Sequence, residues 1–245
     1  MKDSIFTVKS NIKIAKNTYE MVLVGDTSDI TASGQFVNIK LDGFYLRRPI
    51  SVCNVEGDEL TIIYKVVGKG TEAMAKMRGG ESLLTLTGLG NGYSLEKSGD
   101  APLLIGGGAG VPPMYLLCRK LVAEGKKCTV ILGFGSADEV FYEDEFKKLG
   151  ANVLVTTVDG SYGIKGFVTD AMTDLDYSHF YTCGPEPMLK AIYDKSVTSG
   201  SFSFEDRMGC GFGACMGCSC KTITGYKRIC KEGPVMRKEE ILWEK

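Results

Sequence analysis

Pro102-Leu-Leu-Ile-Gly-Gly-Gly-Ala-Gly-Val-Pro-Pro-Met114 passes from a short apolar block through a glycine loop into a segment opened by two prolines. Such a block reads as a strand buried on both faces, and prolines are tolerated in the first turn of a helix, so the stretch predicts strand, turn and helix. Glycines at that junction let the backbone approach a pyrophosphate, which the free N–H groups and dipole of a helix N-terminus favour. The loop departs from the dinucleotide pattern G-x-G-x-x-G, because Val111 stands where the third glycine belongs. Gly107, Gly108 and Gly110 are the candidate phosphate-binding positions. A plain strand-to-helix turn is the competing reading of this loop by itself.

The alternation continues on the C-terminal side. Cys128-Thr-Val-Ile-Leu-Gly133, Asn152-Val-Leu-Val-Thr-Thr-Val158 and His179-Phe-Tyr-Thr-Cys-Gly184 are further apolar runs, each followed by a helix or a loop leading to one. This is the signature of a parallel sheet flanked by helices, assigned to residues 98–200. Met114, Leu117, Leu121 and Val122 recur at helical spacing between about Pro113 and Ala123 and read as core. Cys183-Gly184-Pro185-Glu186-Pro187-Met188 ends the fourth strand. Ligands of such sheets bind beyond the carboxyl ends of the strands, so this loop and the glycine loop bracket one crevice. Cys183, Gly184 and Pro185 therefore join the candidate nucleotide site, with packing alone as the competing reading of Cys183. Asp138 and Asp159 are alternative partners for a ribose hydroxyl.

Toward the N-terminus the period changes. Phe6-Thr-Val-Lys9, Tyr19-Glu-Met-Val-Leu-Val24, Phe36-Val-Asn-Ile-Lys-Leu41, Leu60 to Val67 and Leu83 to Thr87 are short, β-branched or alternating, and divided by Gly, Asp, Ser and Asn turns. With one helical interruption at Thr71 to Met77, residues 1–97 predict a small antiparallel barrel. Lys97-Ser-Gly-Asp-Ala-Pro102 has linker chemistry. Residues 201–245 are rich in Gly and Cys and too poor in apolar residues for a core of their own, so something besides burial is expected to hold them.

The 245 residues carry 29 basic and 30 acidic side chains, a balance that gives nucleic acid or an anionic membrane no field to recognise. The apolar runs fall far short of the ~20 residues that span a bilayer, and Met1 to Ile5 lacks a signal-peptide core, so a cytoplasmic setting is expected. Nine cysteines is then a high count, and five of them, Cys210, Cys215, Cys218, Cys220 and Cys230, crowd into 21 residues. Metal ligation explains the crowding better than disulfides. Cys210-x4-Cys215-x2-Cys218, followed after eleven residues by Cys230, has the plant-type ferredoxin order of a [2Fe–2S] cluster. Gly209, Gly211, Gly213, Ala214 and Gly217 let the loop close and bring N–H groups to sulfur. Structural zinc and free thiols are the competing readings. Cys220 reads as a spectator, with ligand exchange with Cys218 left open. The fold class is thus a β barrel plus an α/β parallel-sheet nucleotide-binding domain, with a small C-terminal [2Fe–2S] subdomain.

Nicotinamide exchanges two electrons as hydride, whereas an iron–sulfur cluster takes one at a time, so a flavin is expected between them. Arg47-Arg48-Pro49-Ile50-Ser51 offers a guanidinium for a pyrophosphate and a hydroxyl for flavin N5, although alone it is a common surface turn.

Arg48-Pro-Ile-Ser51, Gly70-Thr71, Gly106 to Pro113, Cys183 to Met188 and Cys210-Gly-Phe-Gly-Ala-Cys-Met-Gly-Cys218 resemble, in order, the ferredoxin–NADP reductase superfamily. Within it the likeness is strongest to the electron-transfer subunits of B-type, NAD-linked dihydroorotate dehydrogenases. The resemblance implies FAD held by Arg48, Pro49, Ile50 and Ser51, by the strand Ile63-Tyr64-Lys65 and by Gly70 and Thr71. It also implies NAD at the sheet, a [2Fe–2S] cluster on Cys210, Cys215, Cys218 and Cys230, and an FMN-containing catalytic subunit in a heterotetramer of two of each. Electrons would pass from dihydroorotate through FMN, the cluster and FAD to NAD, with Ser51 at flavin N5 and Cys183 beside nicotinamide C4. No acid–base residue is expected, and the lone His179 reads as core. Relatives with the same modules feed hydrogenase or ferredoxin-type partners. A stand-alone diaphorase and a zinc-bearing nucleotide-binding module compete with the subunit reading as well.

Overall fold

The computed structural model describes residues 1–243. In the first 89 residues, strands β1 (Lys2–Ala15), β2 (Thr18–Val24), β3 (Phe36–Ile39), β4 (Arg48–Glu56), β5 (Glu59–Lys65) and β6 (Ser82–Leu89) close a barrel in the order β1-β2-β5-β4-β3-β6. Neighbours run antiparallel throughout, and the alternation read from the sequence sends Phe6, Met21, Leu23, Val37, Leu60 and Ile62 into the interior. Helix α1 (Lys69–Ala75) begins two residues earlier than expected. The Thr71 hydroxyl accepts from the N–H groups of Val67 and Gly68 at 3.0 and 3.2 Å and so starts the turn there.

β4 is the strand that the sequence conceals. Arg48-Pro-Ile-Ser51 is not a surface turn but the start of that strand, with Pro49 opposite Asn38 and Ser51 opposite Phe36. A proline argues against a central strand, and here it sits at the second position, where a missing N–H costs least.

β7 (Leu103–Gly107), α2 (Val111–Ala123), β8 (Thr129–Phe134), α3 (Glu143–Lys148), β9 (Asn152–Thr157), β10 (Ile164–Lys165), α4 (Val168–Ala171), β11 (Phe180–Cys183), α5 (Glu186–Lys195) and β12 (Gly200–Ser203) follow. They build a sheet ordered β10-β9-β8-β7-β11-β12, parallel throughout. Met114, Leu117 and Leu121 of α2 are fully buried, each contributing roughly 1.5–3 kcal/mol by leaving water. Val122, from the same stripe, is only partly covered.

The remaining residues form the hairpin β13 (Ser219–Thr222) and β14 (Gly225–Arg228), then β15 (Val235–Arg237). β15 adds to β12 antiparallel and extends the sheet to seven strands. Cys218, Ile229, Cys230, Met236 and Ile241 enter one core with Phe180 and Phe202. Burial against the neighbouring sheet therefore contributes to holding this segment, which composition alone did not suggest. Among the described residues no helix is long and apolar enough to cross a membrane.

Candidate functional site

A cavity of about 350 Å³ opens where the barrel meets the carboxyl ends of the sheet. β4 contributes Arg48, Pro49, Ile50 and Ser51, β5 contributes Ile63, Tyr64 and Lys65, and α1 contributes Thr71. Three sequence-separated groups expected to hold a flavin thus line one space. Gly70 stands behind Arg48: a Cβ there would lie 2.1 Å from the guanidinium Nε, so only glycine lets the arginine cross. The guanidinium also donates to Leu46 O at 2.5 Å and stacks 5.0 Å over Phe44, contacts that restrain its orientation. Thr71 spends its hydroxyl on the start of α1, leaving it a wall residue.

Glu205 and Asp206, just beyond β12, line the same cavity. No motif marks them. The available signal was positional, since they follow the carboxyl end of a sheet strand, but β12 is too short to announce itself in the sequence.

The glycine loop divides its labour. A Cβ on Gly110 would meet Cys183 O at 2.1 Å, and one on Gly107 would meet Met188 Sδ at 2.5 Å, so these two serve contact between the loops that end β7 and β11. Gly108, at φ +52°, faces open space and borders a narrow crevice with Thr18, Lys65, Phe134 and Glu139. The Lys65 ammonium and Glu139 carboxylate, 3.1 Å apart, span that crevice. Gly184 and Pro185 face a separate cavity of about 420 Å³ bordered by Phe204, Cys220 and Trp243. The Cys183 thiol is fully buried and lines none of these spaces. Burial pushes its thiol well above the usual range. Of the two ribose candidates, Asp138 is ion-paired to Lys16 at 2.9 Å, whereas Asp159 accepts from Ser161 N and Oγ at 2.9 and 2.6 Å. His179 is buried just before β11 with Nε2 3.2 Å from Ser201 Oγ, and burial lowers its pKa.

The four spaced cysteines gather as two neighbouring pairs, Cys210 with Cys215 and Cys218 with Cys230, each thiol close enough to shift its neighbour's ionisation. Gly211 and Gly213 take φ +77° and +92°, which folds the loop back so that Ala214 N and Cys215 N donate to Cys210 Sγ at 3.2 and 3.4 Å. Burial pushes the Cys210 thiol up, and the amide donors of Cys215, Phe212 and Ala214 outweigh it, bringing it down to about 6. Burial pushes Cys230 up to about 12. Among the described residues no three ligating side chains surround a single-ion point. Two thiol pairs with amides aimed at sulfur suit a two-iron core, whose ligands divide between its metals. Cys220 stands aside in β13, with Sγ 3.9 Å from Met236 Sδ. Arg228, which the sequence did not single out, braces the loop by donating to Gly213 O at 2.6 Å while paired with Glu232.

A barrel that shapes a cavity beside the carboxyl ends of a parallel sheet, with a thiol loop tied to that sheet, defines a pyridine-nucleotide-linked reductase of the ferredoxin–NADP reductase type. Residues 205–242 match the iron–sulfur cluster binding domain of dihydroorotate dehydrogenase B, and residues 104–194 match the oxidoreductase NAD-binding domain. The chain belongs to the electron-transfer subunits of NAD-linked dihydroorotate dehydrogenase B. It is 46% identical over 258 residues to that subunit of Fusobacterium nucleatum, covering 98% of this chain and 99% of the relative. The subunit of Bacillus pumilus is 45% identical, covering 98% of each. A solved NADH-dependent reduced ferredoxin–NADP oxidoreductase, studied for flavin-based electron bifurcation, superposes with a TM-score of 0.87 at 30% identity, over 97% of this chain and 90% of that one. The protein is an oxidoreductase subunit of pyrimidine biosynthesis that transfers electrons to NAD+, and its class implies a separate catalytic subunit.

Proposed function

We propose that this chain carries electrons that an FMN-containing catalytic subunit withdraws from dihydroorotate, and delivers them to NAD+, in a cytoplasmic heterotetramer of two subunits of each kind. The observation that carries the reading is the arrangement of two thiol pairs and a flavin-sized cavity on one sheet, within a chain 46% identical to a dihydroorotate-linked relative. The 30% identity to a ferredoxin-linked relative makes a hydrogenase or ferredoxin-type partner the weaker alternative.

Cys210, Cys215, Cys218 and Cys230 are the residues to hold a [2Fe–2S] cluster, and the Arg48–Ser51, Ile63–Lys65 and Gly70–Thr71 walls are those to hold FAD. When bound, these groups supply single-electron exchange and hydride exchange with nicotinamide, respectively. The chain's own part is binding and placement. Arg48, restrained by Phe44 and Leu46, presents charge to a pyrophosphate. Ser51 offers a hydroxyl inside the cavity for the flavin edge, and Gly108 with the amides that open α2 receives the pyrophosphate of NAD. Gly184 and Pro185 face the neighbouring cavity and back the glycine loop, their loop packing against Gly107 and Gly110. The buried Cys183 supports that loop from beneath, reaching nicotinamide C4 only if the loop shifts.

The decisive test is anaerobic purification with the native partner. Flavin absorption with a brown iron–sulfur background, about two irons and two labile sulfides per chain, and dihydroorotate-dependent NADH formation are expected. Colourless, zinc-containing protein would refute the reading.

A further inference from the structure

The outer face of β3 lies between the flavin-sized cavity and the cysteine loop. Alternation sends Val37 and Ile39 into the barrel, so Phe36 and Asn38 belong to the opposite face. Phe36 lines the cavity of Arg48 and Ser51 and is part of the same core as Cys218 and Cys230. Asn38, 1% exposed, donates from Nδ2 to Cys210 O at 3.2 Å. Its backbone stands opposite Pro49, which lines that same cavity. One residue thus joins a wall of the cavity to a candidate cluster ligand. The loop is shaped around the contact: a Cβ on Gly211 would lie 2.3 Å from Asn38 Nδ2, so the chain beside Cys210 can approach the amide only as glycine.

Asn91 ties the segment beyond Cys230 to the loop after β6, and it spends its whole amide on doing so. Its Nδ2 donates to Glu232 O at 3.0 Å and Val235 O at 2.7 Å, and its Oδ1 accepts from Val235 N at 3.1 Å. Asn38 makes one side-chain bond, and its buried Oδ1 has no partner among the described residues. A buried carbonyl left unpaired costs stability that an apolar side chain of similar shape would not. Anchoring therefore accounts for Asn91 fully and for Asn38 only in part.

We propose that Asn38 is a positioning residue for electron transfer, its amide fixing the ligand loop at Cys210 against the β3–β4 pair so that single electrons cross between cluster and flavin there. This rests on the [2Fe–2S] and FAD reading given above. Toward NAD+, the reduced cluster returns to its oxidised state by giving one electron to the flavin. Two such transfers, with one proton from solvent, make up the hydride that NAD+ accepts. Exchange of this kind depends on how closely and how firmly the protein holds the two centres, and a bond to the ligand's own carbonyl acts on both.

The test uses the flavin- and iron-loaded complex with its catalytic subunit and Asn38→Leu, which keeps the volume and removes the donor. After anaerobic mixing with NADH, flavin absorbance follows the arrival of hydride and rapid-freeze EPR follows reduction of the cluster. The variant should accept hydride at the wild-type rate while its cluster is reduced about tenfold more slowly, the factor that a hydrogen bond of ordinary strength supplies. Iron and labile sulfide should stay at the wild-type content, and the EPR line of the reduced cluster should broaden as its ligand loop takes up several positions. Asn91→Ala should lower the midpoint of denaturant unfolding and leave cluster reduction unchanged. Unchanged cluster reduction in Asn38→Leu would overturn the proposal. So would loss of iron from that variant, which would make Asn38 a structural anchor, and so would an equal slowing in Asn91→Ala. A wild-type complex without flavin or iron would refute the functional reading itself. One that reduces both with NADH yet leaves dihydroorotate untouched would refute only the partner, and the Asn38→Leu rates would still decide the role of Asn38.

Discussion

Arg48 and Gly70 show how two residues far apart in sequence make one binding feature. The arginine crosses the space that a side chain at position 70 would fill, so Gly70→Ala should displace the guanidinium much as Arg48→Ala removes it. Hydrogen bonds to charged groups are worth about 1.5–3 kcal/mol, so either change should weaken flavin retention roughly ten- to hundredfold, read as flavin absorbance per protein after gel filtration. Retention of full flavin by both variants would remove the assigned site. A different glycine predicts a different effect: Gly110→Ala meets a backbone carbonyl at 2.1 Å, which no rotamer relieves, and should lower stability by about 1–3 kcal/mol in denaturant unfolding. At this scale the sequence was informative where chemistry is specific to residue type, as with the four cysteines, Arg48 and Ser51. It was silent on Glu205, whose role depends wholly on being carried to Ser51's cavity by a strand four residues long.

Elements were legible in proportion to their period. The α2 stripe and the alternation of β2 and β5 declared themselves, because one face of each is buried and the other is not. β4 was hidden by Pro49, β10 by having two residues, and β15 by lying beyond a cysteine loop whose composition suggests no core. The hairpin of β13 and β14 illustrates why local pattern was insufficient there. It is held by Glu240, whose carboxylate pairs with Lys227 at 2.9 Å and accepts from Arg237 N at 3.0 Å, while Glu240 O accepts from Ile223 N. Burial raises the Glu240 pKa, but these donors outweigh it and bring it from 4.5 to about 2. A depressed carboxyl stabilises the fold fully above its unfolded value, so this anchor should be intact above about pH 4.5 and lost as pH falls toward 2. Protection factors of the hairpin amides, their exchange corrected for the intrinsic rate at each pH, should fall across that interval, and Glu240→Gln should flatten the dependence. Protection that is indifferent to pH in the wild type would show that the pair does not hold the hairpin.

In the whole molecule the two sheets behave as one support. α2 lies between them, with Arg119 donating to Glu56 and to Val55 O at 2.8 Å each, and Tyr142 reaches across to Glu20 at 2.6 Å. The cysteine loop is tied to both, through Asn38 Nδ2 to Cys210 O at 3.2 Å on the barrel side and through β15 on the other. Cys215 is the exposed member of the four thiols, and its neighbours Phe212 and Met216 are exposed apolar side chains, so its replacement disturbs the rim of the loop rather than the shared core. Cys215→Ser should therefore cost the complex its iron–sulfur absorption and its dihydroorotate-dependent NADH formation. Reduction of the flavin by NADH should persist close to the wild-type rate, because Phe212, Cys215 and Met216 line neither the cavity of Arg48 and Ser51 nor the crevice at Gly108. The prediction separates two ways in which the molecule can be organised. If the flavin is lost along with the iron, the loop is a foundation of the fold and the nucleotide half cannot stand without it. If only traffic to the partner stops, the barrel and sheet are a self-sufficient nucleotide-oxidising unit, and the last 45 residues are the lead that connects it to another polypeptide.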